Sequence, residues 1–459
     1  MAGNAYWFTN VLMAQTVAPC LTKNKPMMKA NTFKPIHLLL ILSVLMLTSC
    51  KKDKCEQKVT YTTYDAVYMS YAELRSAVKS ESPRSLNKPG KIYLKGNYIF
   101  VSEVDKGIHI IDNTNPSAPQ NIAFINIPGN MDLAAVGNNL YADSYVDLVV
   151  LDISNPMNVS VSKRVENALP YRQYTNGYYA DPQKGIATDW TPRQVTEVVS
   201  NDCGSGGGYW GGPIMFEGDM FNNNTAGTGA VGVKSNPNVP GIGGSTARFT
   251  IASNALYIVD DRDLHVYDIS SPTNPVNTGI KNIAWNIETI FPYGNHLFIG
   301  GNNGVYIYDN SNPLNPVYVS QYNHVTACDP VVVEDQYAYF TLNNLVPCQQ
   351  GVNELQVVDL SNIAQPTLKT TMPMTSPRGL GIDNKTLFVC DGNDGLKVYN
   401  ATNVMQIGNN QVAHFNNIQA TDVIPFNNRL LMIGEDGLYQ YDYSNIQNIT
   451  QLSRIPVVK

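Results

Sequence analysis

Seven times along the chain, a strand of alternating apolar residues ends in Asp, or once in Asn, and runs into a short polar turn. The copies are Ile108 to Pro116 (IHIIDNTNP), Leu148 to Pro156 (LVVLDISNP), Leu264 to Pro272 (LHVYDISSP) and Val305 to Pro313 (VYIYDNSNP). Leu355 to Asn362 (LQVVDLSN), Leu396 to Asn403 (LKVYNATN) and Leu438 to Asn445 (LYQYDYSN) complete the set. Most neighbouring copies lie about 40 to 50 residues apart, the period of a four-stranded propeller blade. Each unit repeats one order: an apolar run such as Leu133 to Val136, a Gly-Asn turn, a Leu-Tyr pair, a hairpin, the motif strand, and a looser strand. Alternation rich in Val, Ile and Tyr suits strands packed between neighbouring sheets. The expected fold is all-β: a seven-bladed β-propeller of four-stranded blades spanning residues 86–459.

The motif has a mechanical reading. Asp at a strand end accepts hydrogen bonds from backbone N–H groups just beyond it, which closes an Asx turn. Pro then removes a donor and stops the ladder. Turn-making accounts for these Asp residues without a ligand or metal role. The apolar-apolar-x-apolar-Asp-Ile-Ser-Asn-Pro pattern resembles the LVIVD-repeat family, propeller proteins found mainly as bacterial envelope lipoproteins. The resemblance covers residues 86–459. It implies a fold and an envelope location, and it brings no catalytic residues with it.

The N-terminus points to the same address. Lys29 and Lys34 precede an apolar stretch from Ile36 to Leu47, which is too short to span a bilayer. It ends in Leu47-Thr48-Ser49-Cys50, which resembles a lipobox, with Cys50 as the lipidated residue. Residues 1–49 are read as an upstream mis-start followed by a lipoprotein signal peptide. Met27 or Met28 fits the true start. Lys51-Lys52 after Cys50, with no Asp following the Cys, resembles an outer-membrane sorting signal. Residues 50–85 are expected to form a tether. Within it, Ser70-Tyr71-Ala72-Glu73 has the form of a capping box opening a short helix through Val78. The net charge of −6, with no dense Lys/Arg block, argues against nucleic-acid binding, which needs a basic footprint.

In such a propeller the motif turns share one face, here called the bottom. The loops leading into the innermost strands and the central hairpins share the other, the top. The bottom turns are short and uniform, so function is expected on the irregular top. Lys91, Asp132, Arg248, Glu288, Asp329, Arg378 and Asp422 each fall eight or nine residues before the Leu-Tyr position of a repeat. With only 15% of residues charged, seven in register mark a ring at the channel mouth. Two readings stand: ion pairs locking blade to blade, or a polar pocket for a small ligand or peptide end. The top hairpins are acidic, with Glu103, Asp105, Asp143, Asp147, Asp260, Asp261, Asp263, Asp391, Asp394, Glu435 and Asp436. Tight-turn chemistry explains them most simply. Ca2+ is a weaker option because EF-hand spacing is absent, and no metal or other cofactor is expected. A Gly- and Asn-rich insertion, residues 171–246, enters the top between blades 2 and 3 as a lid, an interaction loop or tolerated disorder.

Cys328 and Cys348 both fall on the top of blade 5 and are expected to form a disulfide in an oxidising envelope, worth about 3 kcal/mol for a loop of this size. Cys55, Cys203 and Cys390 remain without assigned partners, a Cys203–Cys390 bridge being conceivable. No Walker loop, HExxH, nucleophile elbow or paired-Cys zinc motif is present. The leading functional reading is therefore a lipid-anchored, non-enzymatic binding or scaffold protein, monomeric as a propeller, engaging an envelope protein, peptide or glycan through its top face. The alternatives are a glycan- or peptide-acting hydrolase or lyase using Glu288, Asp329 and Asp422, and a carbohydrate-binding protein using Trp190, Tyr209 and Trp210.

Overall fold

The structure is a computed structural model that describes residues 54–174, 178–202, 240–324, 330–344 and 352–458. Cys50 with the signal segment, Cys203, Tyr209, Trp210, Cys328, Asp329 and Cys348 lie outside the described residues. The chain divides into two compact units: residues 1–60 with 196–210, and residues 61–195 with 211–459. In the first, the described residues are two strand segments, where the Thr60 and Thr196 hydroxyls lie 2.9 Å apart. The second unit holds the propeller.

Seven antiparallel sheets form the blades, as the repeat predicts. Blade 1 comprises Pro89–Lys95, Tyr98–Glu103, Gly107–Asp112 and Gln120–Asn126, from the innermost strand outward. The innermost strands of blades 2 to 7 are Leu133–Val136, Phe249–Ala252, Ile287–Tyr293, Val331–Glu334, Leu380–Asp383 and Ala420–Phe426. Each blade is built from consecutive strands, so its pairing is local. Period-two alternation sends Ile, Val, Leu and Tyr to the faces shared by adjacent blades. The buried apolar clusters accordingly sit between blades, for example Phe298, Ile307, Val331 and Phe340 between blades 4 and 5. Ile92, Ile99 and Val101 of blade 1 meet Ile424, Leu431 and Ile433 of blade 7, which closes the ring. Burying each such side chain contributes roughly 1.5–3 kcal/mol. The last residues also latch to the first blade's lead-in: Leu86 bridges Val457, and Val458 N donates to Leu86 O at 2.8 Å.

All seven motif turns are Asx turns. Asp112, Asp152, Asp268, Asp309, Asp359, Asn400 and Asp442 each accept the backbone N–H two residues on, at 2.7–2.9 Å. A second Asx turn follows in several copies, as at Asn115, Asn155 and Asn445. The turns also couple blades. The Tyr of the Leu-Tyr pair reaches the next blade's motif Pro: Tyr141 Oη donates to Pro272 O at 2.7 Å and Tyr257 Oη to Pro313 O at 2.6 Å.

Of residues 50–85, expected as a tether with a short helix, the described part, 54–85, carries that helix and two strands as well. Lys54–Met69 pairs with Ile186–Asp202 of the insertion in a two-stranded sheet. The helix Tyr71–Ser76 opens with the full Ser70–Glu73 capping box. Lys79–Glu81 then adds to the outer edge of blade 1, with Lys79 opposite Asn126.

Candidate functional site

Six of the seven ring residues are described, and each stands at the top end of an innermost strand. The structure adds a component that the repeat pattern does not announce. The end of the insertion runs inside the ring. Ile242–Gly243 pairs with the inner edge of blade 1, with Ile242 opposite Leu94 and Gly243 opposite Tyr93. Gly241 N donates to Ala135 O of blade 2 at 2.9 Å, and Gly244 N to Ile92 O at 3.1 Å. Leu380 N of blade 6 donates to Ser245 Oγ at 3.3 Å, and Ile290 N of blade 4 to Ala247 O at 2.9 Å. Residues 241–247 thus form a plug tied to most of the blades. Small residues are required: a Cβ on Gly244 would collide with Asp422 Oδ2, and one on Gly241 with Tyr93.

The ring charges spend their hydrogen bonds on this plug, on backbone and, for Arg378, on the Glu435 carboxylate. Lys91 Nζ donates to Thr246 O at 2.6 Å. Asp422 Oδ1 accepts from Ser245 N and Oγ, both at 3.3 Å, while Oδ2 accepts from Thr246 Oγ1 at 3.1 Å. Asp132 accepts Leu133 N, Arg248 N and Phe249 N at 2.5–3.1 Å. Arg248 Nε donates to Val259 O at 3.1 Å, and Arg378 Nη1 to Glu435 Oε1 at 3.0 Å. Lys91, Asp132 and Asp422 are all buried, Asp422 to 1% exposure. Burial pushes both carboxyls up and the Lys91 ammonium down, and the Lys91 charge partly offsets the effect on the two acids. Glu288 contributes to the same field.

The acidic hairpins have a shared structural role that goes beyond turn geometry. Three buried hairpin acids receive backbone N–H groups of their own blade's lead-in loop, whereas Asp147 accepts Asn167 N and the guanidinium groups of Arg75 and Arg164. Glu103 accepts Asn87 N and Lys88 N, Asp143 accepts Met131 N and Asp132 N, and Asp391 accepts Thr375 N and Ser376 N. A base on the following strand pairs with Glu103 and Asp391, His109 at 2.9 Å and Lys397 at 2.5 Å; His265 likewise pairs at 2.7 Å with Asp260, whose backbone donors are Arg262 N and Asp263 N of its own hairpin. The sequence signal was available, since the base follows the acid by five or six positions. Among the described residues, no group of three or more His, Cys, Asp or Glu is placed to hold a metal.

The first part of the insertion packs over blades 1 and 2. Arg172 Nη1 pairs with Asp105 at 2.8 Å, and its guanidinium lies 4.9 Å from the Tyr145 ring centre. Trp190 is not the exposed stacking surface expected of a sugar site. It is 8% exposed and packs edge-on against Tyr174 and Tyr178, with ring centres 5.0 and 4.8 Å away. Cys390 is a free, buried thiol whose burial holds its pKa well above the ordinary value.

An open cleft of about 580 Å³ lies on the top face at blades 6 and 7. Its lining includes Asn393, Asn416, Asn417, Gln419, Glu435 and Arg454. The hairpin and linker backbones hold it, with Glu435 N donating to Gln419 O at 3.2 Å. Arg454 pairs with Asp436 at 3.0 Å. Amides, a carboxylate and a guanidinium line this wall, which suits a polar, hydrogen-bonding ligand surface.

A family model for the LVIVD repeat matches residues 89–124, 129–167, 243–282, 287–324 and 327–373, which are blades 1 to 5. No curated protein matches the chain in sequence. Among solved structures, the chain is similar to the computationally designed Ika8 protein, at 10% identity and a TM-score of 0.45, covering 82% of this chain and 90% of that one. It is also similar to BamB from Moraxella catarrhalis, at 8% identity and a TM-score of 0.43, covering 83% and 97%. PorZ, an essential surface component of the type-IX secretion system of Porphyromonas gingivalis, is 12% identical with a TM-score of 0.43, covering 83% of this chain and 40% of PorZ. The chain thus carries five LVIVD repeats, in blades 1 to 5, on a propeller in which all seven Asx turns are formed.

Proposed function

We propose that this chain is a lipid-anchored cell-envelope propeller that works as a non-enzymatic binding or scaffold protein through its top face. The observation that carries this reading is the contrast on that face. Lys91, Asp132 and Asp422 at the channel mouth are buried with the chain's own plug, whereas the amide-lined cleft at blades 6 and 7 is open. Lys91, Asp132, Arg248, Arg378 and Asp422 are then blade-locking structure, and the cleft is the contact surface. A hydrolase using Asp422 gains no support, because both of its oxygens are occupied by Ser245 and Thr246.

The anchor follows from the Leu47-Thr48-Ser49-Cys50 sequence, and Lys51-Lys52 favours the outer membrane. Cys50→Ser is expected to abolish incorporation of labelled palmitate and to move the chain from the membrane to the soluble fraction. Retention of label would remove the anchor from the account. The binding role is tested by pull-down from envelope extracts with wild type and with Asn393→Ala/Asn417→Ala/Gln419→Ala. Loss of captured partners in the triple variant supports the cleft, and an unchanged partner set counts against it.

A further inference from the structure

Trp285 is out of place for a structural aromatic. Trp is highly buried on average, yet Trp285 is 62% exposed. It lies in the linker between the outer strand of blade 3 and the inner strand of blade 4, on the top face. The Arg262 guanidinium lies over its ring, with Cζ 3.2 Å from the ring centre. An indole has two faces. With one covered this closely, the remaining exposure means that the other face and an edge stand in water.

The platform is fixed rather than loose. Ile283 N donates to Arg262 O at 2.9 Å, Ile287 N to Asp261 O at 3.1 Å, and Asn302 N to Asn286 O at 3.1 Å. Arg262 N donates to Asp260 Oδ1 at 2.7 Å, and Asp260 is itself held by His265 at 2.7 Å. Asn286, next to Trp285, sits at φ 54, a left-handed conformation that Asn tolerates and that surrounding bonds must hold. Asp261 is bound through its backbone, while its carboxylate is 67% exposed.

We propose that the open indole face, with the Asp261 carboxylate and the Arg262 guanidinium beside it, is a carbohydrate platform that stacks a pyranose ring. The apolar C–H face of a pyranose complements an indole, and its hydroxyls complement an exposed carboxylate and guanidinium, which lie 4.0 Å apart here. A protein hot spot would sit inside a contiguous apolar patch. The hairpin and linker around Trp285 instead carry Asp261, Asp263, Asn282 and Asn286. The proposal rests on the top face being the binding face and names a ligand class for it.

The test uses the full chain against immobilised cellotetraose, chitotetraose, laminaritetraose and a tetragalacturonate. At least one is expected to be retained, and the free oligosaccharide to quench indole emission. Trp285→Ala is expected to weaken binding at least tenfold, and Trp285→Phe less, with circular dichroism unchanged in both. Silence across the panel, or binding indifferent to Trp285→Ala, overturns the proposal. If the panel is silent while Trp285→Ala loses captured protein partners, the platform is a protein contact and the top-face reading survives. If neither ligand class depends on the top face, both fall.

Discussion

The bottom turns and the channel mouth are built from the same side chain and put it in opposite situations. In the turns, Asp112, Asp152, Asp268, Asp309 and Asp442 stand at the solvent edge, with Asp359 more covered, and all six accept N–H and O–H donors two residues on. Those donors pull the carboxyls down, Asp359 to about 2 with the Lys369 ammonium leading and Ser361 adding. At the mouth, Asp132 and Asp422 are buried, and desolvation pushes them up despite Lys91. The lesson is that position in the blade, rather than the residue, decides whether an Asp is a plain turn or part of a strained charge network. It also moves the search for function outward, to the rim of the top face.

Breaking the network should have the largest effect. Lys91→Met leaves two buried carboxylates without their cation and is expected to cost about 3–5 kcal/mol, read as a lower denaturant midpoint. A change under about 1 kcal/mol would mean that the mouth is hydrated and the charges screened. Gly244→Ala, which pushes a methyl into Asp422, should cost about 1–3 kcal/mol by overpacking. Asp112→Ala, which removes one Asx turn, should cost about 1 kcal/mol. If it equals Lys91→Met, the two regions do not differ as described.

Acid separates the two regions by sign. The turn carboxyls titrate lower folded than unfolded, so their stabilisation is complete above the ordinary value of 3.8 and is lost as pH falls through their folded values. Asp132 and Asp422 titrate higher folded, so they weaken the fold as pH rises from 3.8 toward their folded values, and acid relieves them. Lys91→Met should therefore recover stability on acidification from neutral to about pH 4, before the turns fail below that. A variant that only loses stability over this interval would contradict the assignment.

The architecture was legible because its causes are local. Period-two alternation and Asx chemistry act within a few residues, so the seven copies could be counted and their turns assigned from the chain alone. The family match stops at blade 5, yet Asn400 and Asp442 make the same turn in blades 6 and 7. The ring was legible as a register of charges, but its partners were not. Gly241, Ile242, Gly243, Gly244, Ser245 and Thr246 lie far in sequence from Lys91 and Asp422, and their composition reads as loop. What selects the glycines is space: a Cβ on Gly241 would meet Tyr93 and one on Gly244 would meet Asp422. Trp190 failed as a sugar-site candidate for a similar reason, since Tyr174 and Tyr178 cover it. Trp285 carried no motif and is distinguished only by its exposure.

Residues 241–247 of the chain itself occupy the channel mouth and bond to its innermost strands. Amide hydrogen exchange at Gly241, Gly244 and Ser245 tests this directly, because these N–H groups donate to Ala135 O, Ile92 O and Asp422 Oδ1. Protection comparable to that of the innermost strands is the predicted result. Exchange at the rate of an open loop would show that the mouth is accessible and would return the seven-charge ring to the position of binding site.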